Sequence, residues 1–168
     1  NEPIACGRCV DVCDKKCIDF DMTSEVMEVP VGAVVLATGM EPYDPRKNDE
    51  YGYTRFPNVI TSMEFERLIC AGGPTGGHLV RPSDRKTPKR IGFIQCVGSR
   101  SEGRGAPYCS NICCLNTIKE TLQIQEHYPD AHSTVYYMDI RAFGKGFEDI
   151  YRRSRAAGGP TCAACRAW

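Results

Sequence analysis

Residues 89–100 read KRIGFIQCVGSR, and this stretch decides the fold that the sequence predicts. Residues 90–95 form a short apolar run that is typical of a strand buried in a parallel sheet. Ser110 is predicted to cap a helix that runs to about His127, because apolar residues recur there at helical spacing. Residues 133–138, STVYYM, are predicted to form a second strand. A strand, a helix and a strand at this spacing predict a β-α-β unit with parallel strands, and therefore an α/β protein.

Shorter elements are predicted on either side of this unit. Residues 25–39, EVMEVPVGAVVLATG, are expected to form two strands around Pro30, the second of them continuously apolar. Residues 63–70 predict a short helix capped by Thr61 or Ser62. Residues 147–157 predict another helix, and the Gly- and Pro-rich segments in between predict loops.

The bulk composition is that of a globular protein, with 168 residues of which 42% are hydrophobic and 25% charged. Lys plus Arg and Asp plus Glu number 21 each, so there is no electrostatic case for nucleic acid or a membrane surface. No apolar run approaches the length of a membrane-spanning helix, and no basic-then-apolar leader stands at Asn1. We therefore expect a cytoplasmic protein with no nucleic-acid partner and no direct membrane insertion.

Cysteine is the outlier, with 11 residues that fall in clusters. An odd count in a chain long enough to build a core favours metal ligands over a disulfide scaffold. One cluster surrounds the end of the first strand and the start of the helix, and comprises Cys96, Cys109, Cys113 and Cys114. Ligands bind beyond the carboxyl ends of strands in open α/β sheets, so these thiols are expected to converge. Four thiolates suit a [4Fe–4S] cluster or tetrahedral zinc, and the spacing does not choose between them.

The loop after the first strand lacks the glycines of a dinucleotide-binding turn. Only Gly98 remains of the G-x-G-x-x-G pattern, so we predict that this unit does not bind NAD in the usual way. Asp139 ends the second strand, where an acid would hold a ribose, but a solvated carboxylate is the simpler interpretation. The positive end of the helix that starts at Ser110 is expected to favour thiolates and to donate hydrogen bonds to a cluster.

A second group of cysteines lies within residues 1–22 and comprises Cys6, Cys9, Cys13 and Cys17. Their C-x2-C-x3-C spacing matches the last three ligands of a bacterial ferredoxin run. Pro3 stands where the first ligand would be, and Asp14 stands where a proline would follow. Three interpretations remain open: a cluster that uses Cys17, a three-iron or labile cluster, and a remnant without metal.

Several segments combine into a specific pattern over roughly residues 5–155: ACGRCVDVC followed by IDFD, GAVVLATGMEPYDP, YGYTRFPNVITSMEFERL, GPTGGHLVRPSD, KRIGFIQCVGSR, PYCSNICC and YMDIRAFGKGFE. Together they resemble the A-type subunits of heterodisulfide reductase and the related flavoprotein subunits of quinone-interacting membrane-bound oxidoreductase complexes. After residue 157 the sequence no longer resembles this family.

The resemblance implies a core similar to thioredoxin reductase, with a flavin domain, a Rossmann-like domain and added ferredoxin modules. Residues 1–22 would be an incomplete ferredoxin-like iron–sulfur segment, and residues 23–88 the tail of the FAD-binding domain with connecting loops. Residues 89–157 would be the Rossmann-like domain with the cysteine cluster, and residues 158–168 an atypical tail. The implied cofactors are FAD, beside Ala37, Thr38 and Gly39, and a [4Fe–4S] cluster on the cysteines between 96 and 114.

The implied function is electron relay between flavin and iron–sulfur clusters in an oxidoreductase that feeds disulfide reduction on a partner subunit. The implied partners are other subunits of a heterodisulfide reductase-type complex and an electron donor such as a hydrogenase or formate dehydrogenase. This chain alone is expected to be inactive. Two alternatives stay open: a zinc-stabilised interaction module, and a pyridine-nucleotide disulfide oxidoreductase that uses Cys162 and Cys165.

Overall fold

The computed structural model describes residues 7–159 and, by their backbone, residues 161–164. Cys6 and Cys165, both named above as candidate site residues, lie outside the described residues. The chain is mixed α/β and divides into two compact units, one up to Met40 and one from Glu41 onward. No helix in the described ranges is long and apolar enough to span a bilayer.

The first unit contains one short helix, α1 (Arg8–Asp11), and otherwise irregular backbone in its described part. The prediction of two strands within residues 25–39 is wrong, because none of these residues is in a strand. Val26, Val35 and Leu36 are 97%, 88% and 84% exposed. An apolar run becomes a strand only where a neighbouring strand completes its backbone hydrogen bonds, and no described segment of this unit does so.

The second unit carries the sheet. Two short 3-10 turns precede helix α2 (Ser62–Ile69) and strand β1 (Arg90–Ile94). Helix α3 (Cys113–His127), strand β2 (His132–Tyr137), helix α4 (Phe147–Ala156) and strand β3 (Thr161–Ala164) follow. The strands pair in parallel in the order β1-β2-β3. The predicted parallel pairing of the first two strands is confirmed, whereas β3 lies in the tail and is not predicted by the sequence.

Helix α3 begins at Cys113, so the predicted start at Ser110 is wrong. Ile112 is the N-cap residue and no side chain caps the helix. The reason is Asn111, whose φ of 63° is left-handed and cannot belong to a right-handed helix. Ser110 therefore lies outside the helix, and its hydroxyl is available to the cysteines.

Helix α2 confirms the predicted cap at Thr61. The Thr61 hydroxyl accepts from the Glu64 N–H at 3.2 Å, and the Glu64 carboxylate accepts from the Thr61 N–H at 2.7 Å. The helix buries Phe65 in a core that also contains Leu79 and Ile124 of α3. The Phe65 ring meets Phe93 of β1 edge to face, with ring centroids 5.7 Å apart. This core attaches α2 and α3 to the sheet.

Glu120 is a fully buried carboxyl on α3 that faces α2. Its Oε1 accepts hydrogen bonds from the Ser62 hydroxyl at 2.8 Å and the Asn116 amide at 2.9 Å, while Oε2 has no donor among the described residues. Burial raises the pKa of Glu120 to about 7, and the charge of Glu66 adds to this effect. The Ser62 and Asn116 hydrogen bonds and the charge of Lys119 act in the opposite direction. Lys119 also forms an ion pair with Glu66.

We predict that Glu120→Gln stabilises the protein at alkaline pH. The folded-state pKa of about 7 exceeds the ordinary value of 4.5, so the contribution of this group is present below pH 4.5 and is lost as the pH rises through 7. The neutral glutamine should raise the free energy of unfolding at pH 8 by on the order of 2 kcal/mol, and by less at pH 5. Urea unfolding at both pH values measures this, with the exposed Glu126→Gln on the same helix as the control. A stability change that is the same at both pH values would contradict the prediction.

Candidate metal centre

Cys96 lies just beyond β1, in left-handed backbone. Its φ is 61°, and the same loop contains Gly98 at 70° and Arg100 at 58°. For residues other than glycine this conformation costs about 1–2 kcal/mol. Such strain persists only where surrounding contacts impose it, and it concentrates at functional sites. The strained backbone in this loop therefore marks the position of a predicted ligand.

The loop after β1 folds back on itself, so that its last residues lie next to the residues that directly follow the strand. The Ala106 N–H donates to the Gly98 carbonyl at 3.0 Å, and the Arg100 N–H donates to the Tyr108 carbonyl at 3.1 Å. These bonds align the segment before Cys109 with the segment that follows the strand. The thiolate charge of Cys109 consequently acts on Cys96, although the two cysteines are separated by the whole loop.

Tyr43 packs against this loop from outside the β-α-β unit. Its ring lies against Gly98, where an added Cβ would come within 2.1 Å of the ring atoms. Its hydroxyl lies 2.7 Å from the carbonyl oxygen of Arg104. The sequence does not predict Tyr43 as part of the site, because no local pattern relates position 43 to position 98.

The thiols of Cys96, Cys113 and Cys114 interact at the start of α3. The Cys113 sulfur accepts a hydrogen bond from the Cys114 thiol, which lowers the pKa of Cys113 against the effect of burial. The Cys96 backbone N–H and the Ser110 hydroxyl add to this lowering. The pKa of Cys114 is raised, because its thiol is the donor to Cys113 and is buried. Burial likewise raises the pKa of Cys96.

Backbone N–H groups are directed at the sulfur atoms of Cys109 and Cys114. The Asn111 N–H donates to Cys109 Sγ at 3.3 Å, and the Arg141 N–H donates to the Cys114 sulfur. A sulfur that accepts such bonds is stabilised as the thiolate, which is the form that binds metals. All four cysteines of this site are free thiols, and none takes part in a disulfide.

The donor set suits an iron–sulfur cluster. Within residues 7–159, no three His, Cys, Asp or Glu side chains are arranged to hold a single metal ion. The four ligands of a [4Fe–4S] cluster bind four different iron atoms, so they lie further apart than the ligands of one zinc ion. The four free thiols interact electrostatically with one another, and thiolates of this kind are the ligands that such a cluster takes. The assignment of these cysteines as ligands stays a prediction.

Two charged side chains, Arg100 and Asp139, also belong to the site, and the sequence does not predict this role for them. Arg100 donates to Asp139 Oδ1 at 2.5 Å, and its positive charge also acts on the Cys96 sulfur. Burial raises the pKa of Asp139, but the hydrogen bonds from Arg100 and Arg141 outweigh it and the net pKa is lowered. Asp139 is therefore an ion-paired carboxylate, and its side chain is also 47% exposed to solvent. The position of Asp139 just after β2, at the edge where Cys96 follows β1, is the sequence signal that could have indicated this role.

The N-terminal cysteines belong to the first unit. Cys9 and Cys17 are exposed and Cys13 is half-buried. The Sγ atoms of Cys13 and Cys17 are 3.5 Å apart, and hydrogen bonds from the backbone and thiol of Cys17 lower the pKa of Cys13. With Cys6 outside the described residues, the set of four ligands stays a prediction.

Ala37, Thr38 and Gly39, the predicted flavin contacts, also lie in the first unit and are exposed. Gly39 has a φ of 75°, and an added Cβ there would meet no atom within 4 Å. Backbone of this kind is open to close approach by a ligand. These residues could therefore offer a flavin backbone contacts, and their role stays a prediction.

We predict that Gly98→Ala destabilises the loop that carries Cys96. The added Cβ would collide with the Tyr43 ring and would force a non-glycine residue to a φ of 70°, at an expected cost of about 1–3 kcal/mol. Gly103→Ala is the matched control in the same loop, because its Cβ would meet no atom within 4 Å. Chemical unfolding of the two variants measures the difference, and equal stabilities would contradict the prediction.

No protein-family model matches the chain. It is 49% identical over 152 residues to the A-type subunit of H(2):CoB-CoM heterodisulfide,ferredoxin reductase from Methanothermobacter thermautotrophicus, and the match covers 90% of this chain and 23% of that protein. It is 56% identical over 142 residues to the second A-type iron-sulfur subunit of CoB–CoM heterodisulfide reductase from Methanopyrus kandleri, covering 84% and 22%. It is 46% identical over 152 residues to the A-type iron-sulfur subunit of CoB–CoM heterodisulfide reductase from Methanocaldococcus jannaschii, covering 90% and 23%.

The chain spans about a fifth of the length of these curated relatives. The similarity extends over most of the chain. The resemblance that short segments predict is therefore confirmed: over most of its length the chain is similar to one segment of the A-type subunits of heterodisulfide reductase.

Proposed function

We propose that this chain binds a [4Fe–4S] cluster and passes single electrons between that cluster and a flavin. The proposed ligands are Cys96, Cys109, Cys113 and Cys114. The observation that carries the proposal is the convergence of these free thiols where β1 ends and α3 begins, with N–H groups directed at their sulfur atoms. The similarity to heterodisulfide reductase subunits supports it, since two of the relatives are named as iron–sulfur subunits.

A bound cluster would supply a one-electron acceptor and donor, and the protein residues would adjust its surroundings. The N–H groups at the start of α3 have no side-chain cap, and Cys113 and Cys114 are the first two residues of this helix, where the positive end of its dipole favours thiolates. The Ser110 hydroxyl and the Cys96 N–H stabilise the Cys113 thiolate. Cys114 is buried, which keeps water from that side of the site. These contacts tune a cluster through hydrogen bonding and solvent exclusion.

We propose for residues 89–157 a Rossmann-like domain of a thioredoxin-reductase-like flavoprotein, with residues 158–168 as its tail. Residues 23–88 would belong to the end of an FAD-binding domain with its connecting loops. The exposed apolar run at 31–36 supports this, because its composition is that of a buried strand and a flavin-domain sheet would cover it. The backbone of Ala37, Thr38 and Gly39 would then reach FAD at the end of that strand.

Residues 1–22 would form an incomplete ferredoxin-like segment that holds a second cluster on Cys6, Cys9, Cys13 and Cys17. The proximity of the Cys13 and Cys17 sulfur atoms supports the interpretation in which Cys17 replaces the missing first ligand. The alternatives of a three-iron cluster or a metal-free remnant predict a lower iron content for this segment.

For the whole protein we propose a cytoplasmic oxidoreductase subunit that feeds electrons to heterodisulfide reduction on a partner subunit. The electron donor would be an enzyme such as a hydrogenase or formate dehydrogenase. The relative from Methanothermobacter thermautotrophicus supports this, since its name joins hydrogen, the CoB–CoM heterodisulfide and ferredoxin. This chain alone is expected to be inactive, because it spans about a fifth of its relatives.

We predict that Cys113→Ala lowers the iron and acid-labile sulfide content of the anaerobically purified chain and bleaches its cluster absorption. The loss follows because one of four thiolate ligands is missing. Cys70→Ala is the control, since Cys70 is an exposed thiol beyond the end of α2. Iron and sulfide contents equal to wild type in Cys113→Ala would refute the ligand assignment. Zinc without sulfide in the wild type would favour the zinc-stabilised module instead.

A further substitution separates the electron relay from the disulfide oxidoreductase. We predict that Cys162→Ser together with Cys165→Ser leaves the iron content and absorption spectrum unchanged. A pyridine-nucleotide disulfide oxidoreductase would lose its turnover with this pair. Loss of NADH-dependent disulfide reduction, measured against wild type, would favour that alternative.

A further inference from the structure

The Arg100–Asp139 ion pair joins the two loops that follow the parallel strands β1 and β2. Arg100 Nη1 lies 2.5 Å from Asp139 Oδ1, and the two side chains are 24% and 47% exposed. Arg100 is held in left-handed backbone, and its N–H donates to the Tyr108 carbonyl. Asp139 has a second partner in Arg141, at 3.4 Å. The pair is thus partly buried and fixed from both sides.

Each member of the pair also contacts a proposed ligand. The Arg100 guanidinium lies close enough to the Cys96 sulfur for its positive charge to favour the thiolate. The Cys114 thiol lies 3.9 Å from the backbone carbonyl of Asp139, and the Arg141 N–H donates to the Cys114 sulfur. The contacts Cys96–Arg100–Asp139–Cys114 therefore connect a sulfur after β1 with a sulfur at the start of α3.

We propose that Arg100 is a positioning residue that holds Cys96 and Cys114 in register and favours the reduced state of the iron–sulfur centre. The negative charge of Asp139 offsets part of the positive charge of Arg100, and so limits the change that Arg100 makes to the reduction potential. The inference rests on the cluster assignment proposed above, and it adds a pair of residues that sets the reduction potential. Neither residue is a ligand.

The physical basis is a fixed charge close to sulfur. One electron supplied by the reductant adds one unit of negative charge to the centre, and the guanidinium of Arg100 stabilises that charge. Removing the guanidinium should make the midpoint potential more negative. Removing the carboxylate of Asp139 leaves the Arg100 charge less compensated and should make the potential less negative. Opposite shifts from the two partners of one ion pair are not expected from a purely structural contact.

The test is an anaerobic titration with dithionite, followed by EPR, on the full chain and its variants. Arg100→Gln should shift the one-electron reduction equilibrium by about tenfold, which corresponds to about 59 mV toward negative potential. Asp139→Asn should shift it in the other direction. Arg100→Lys keeps the charge but not the planar fork of donors, so it should keep a potential close to wild type with less bound iron.

Arg104→Gln is the matched control. Arg104 lies in the same loop and pairs with Glu50 at 3.0 Å, with side chains 64% and 49% exposed, and no contact of this pair reaches a cysteine among the described residues. Its potential and iron content should equal those of wild type.

Two results would overturn the inference while the proposed function stands. The first is an iron-loaded Arg100→Gln protein with the wild-type potential. The second is a shift of the same sign in Arg100→Gln and Asp139→Asn. If Arg100→Gln retains too little iron for titration, Arg100→Lys and Asp139→Asn carry the test. Absence of iron and sulfide from the wild-type chain would overturn the proposed function itself.

Discussion

The parallel pairing of β1 with β2 is the constraint on which the cysteine site depends. Ile94 lies opposite Tyr136, and the Gln95 N–H still donates to the Tyr136 carbonyl at 2.9 Å where β1 ends. Both strands therefore end at the same edge, and the loops that follow them become neighbours. Helix α3 connects these strands and must start at that edge, which brings its first residues to the loops. A one-residue slip in register would turn the loops away from each other.

Holding several thiols together has an energetic cost that the fold carries before any metal binds. Cys96 and Arg100 adopt left-handed backbone, and the thiols of Cys113 and Cys114 are held in partly buried contact with each other. The hydrogen bonds of the loop and the packing of Tyr43 on Gly98 offset this strain. Metal binding would replace thiol protons with cationic charge, so occupation of the site and stability of the loop would be linked.

In the first unit, by contrast, a segment with a strand-like sequence has no neighbouring strand among the described residues. Its apolar run has the composition of a buried strand, but the side chains of Val26, Val35 and Leu36 are exposed. Strand formation is a property of at least two segments, because each backbone N–H and carbonyl of one is paired by the other. The run therefore stays exposed in the part of the chain that the structure describes.

The local patterns of the sequence by themselves determined the two paired strands, the capped helix at Thr61, and the crowding of cysteines around one strand–helix junction. They did so because apolar spacing, capping residues and residue type act within a few positions. The tertiary structure alone decided the start of α3 after Asn111, the packing of Tyr43 on Gly98, and the ion pair between Arg100 and Asp139. The Tyr43–Gly98 and Arg100–Asp139 contacts join segments that are distant in the chain, and patterns that act within a few positions cannot relate such segments.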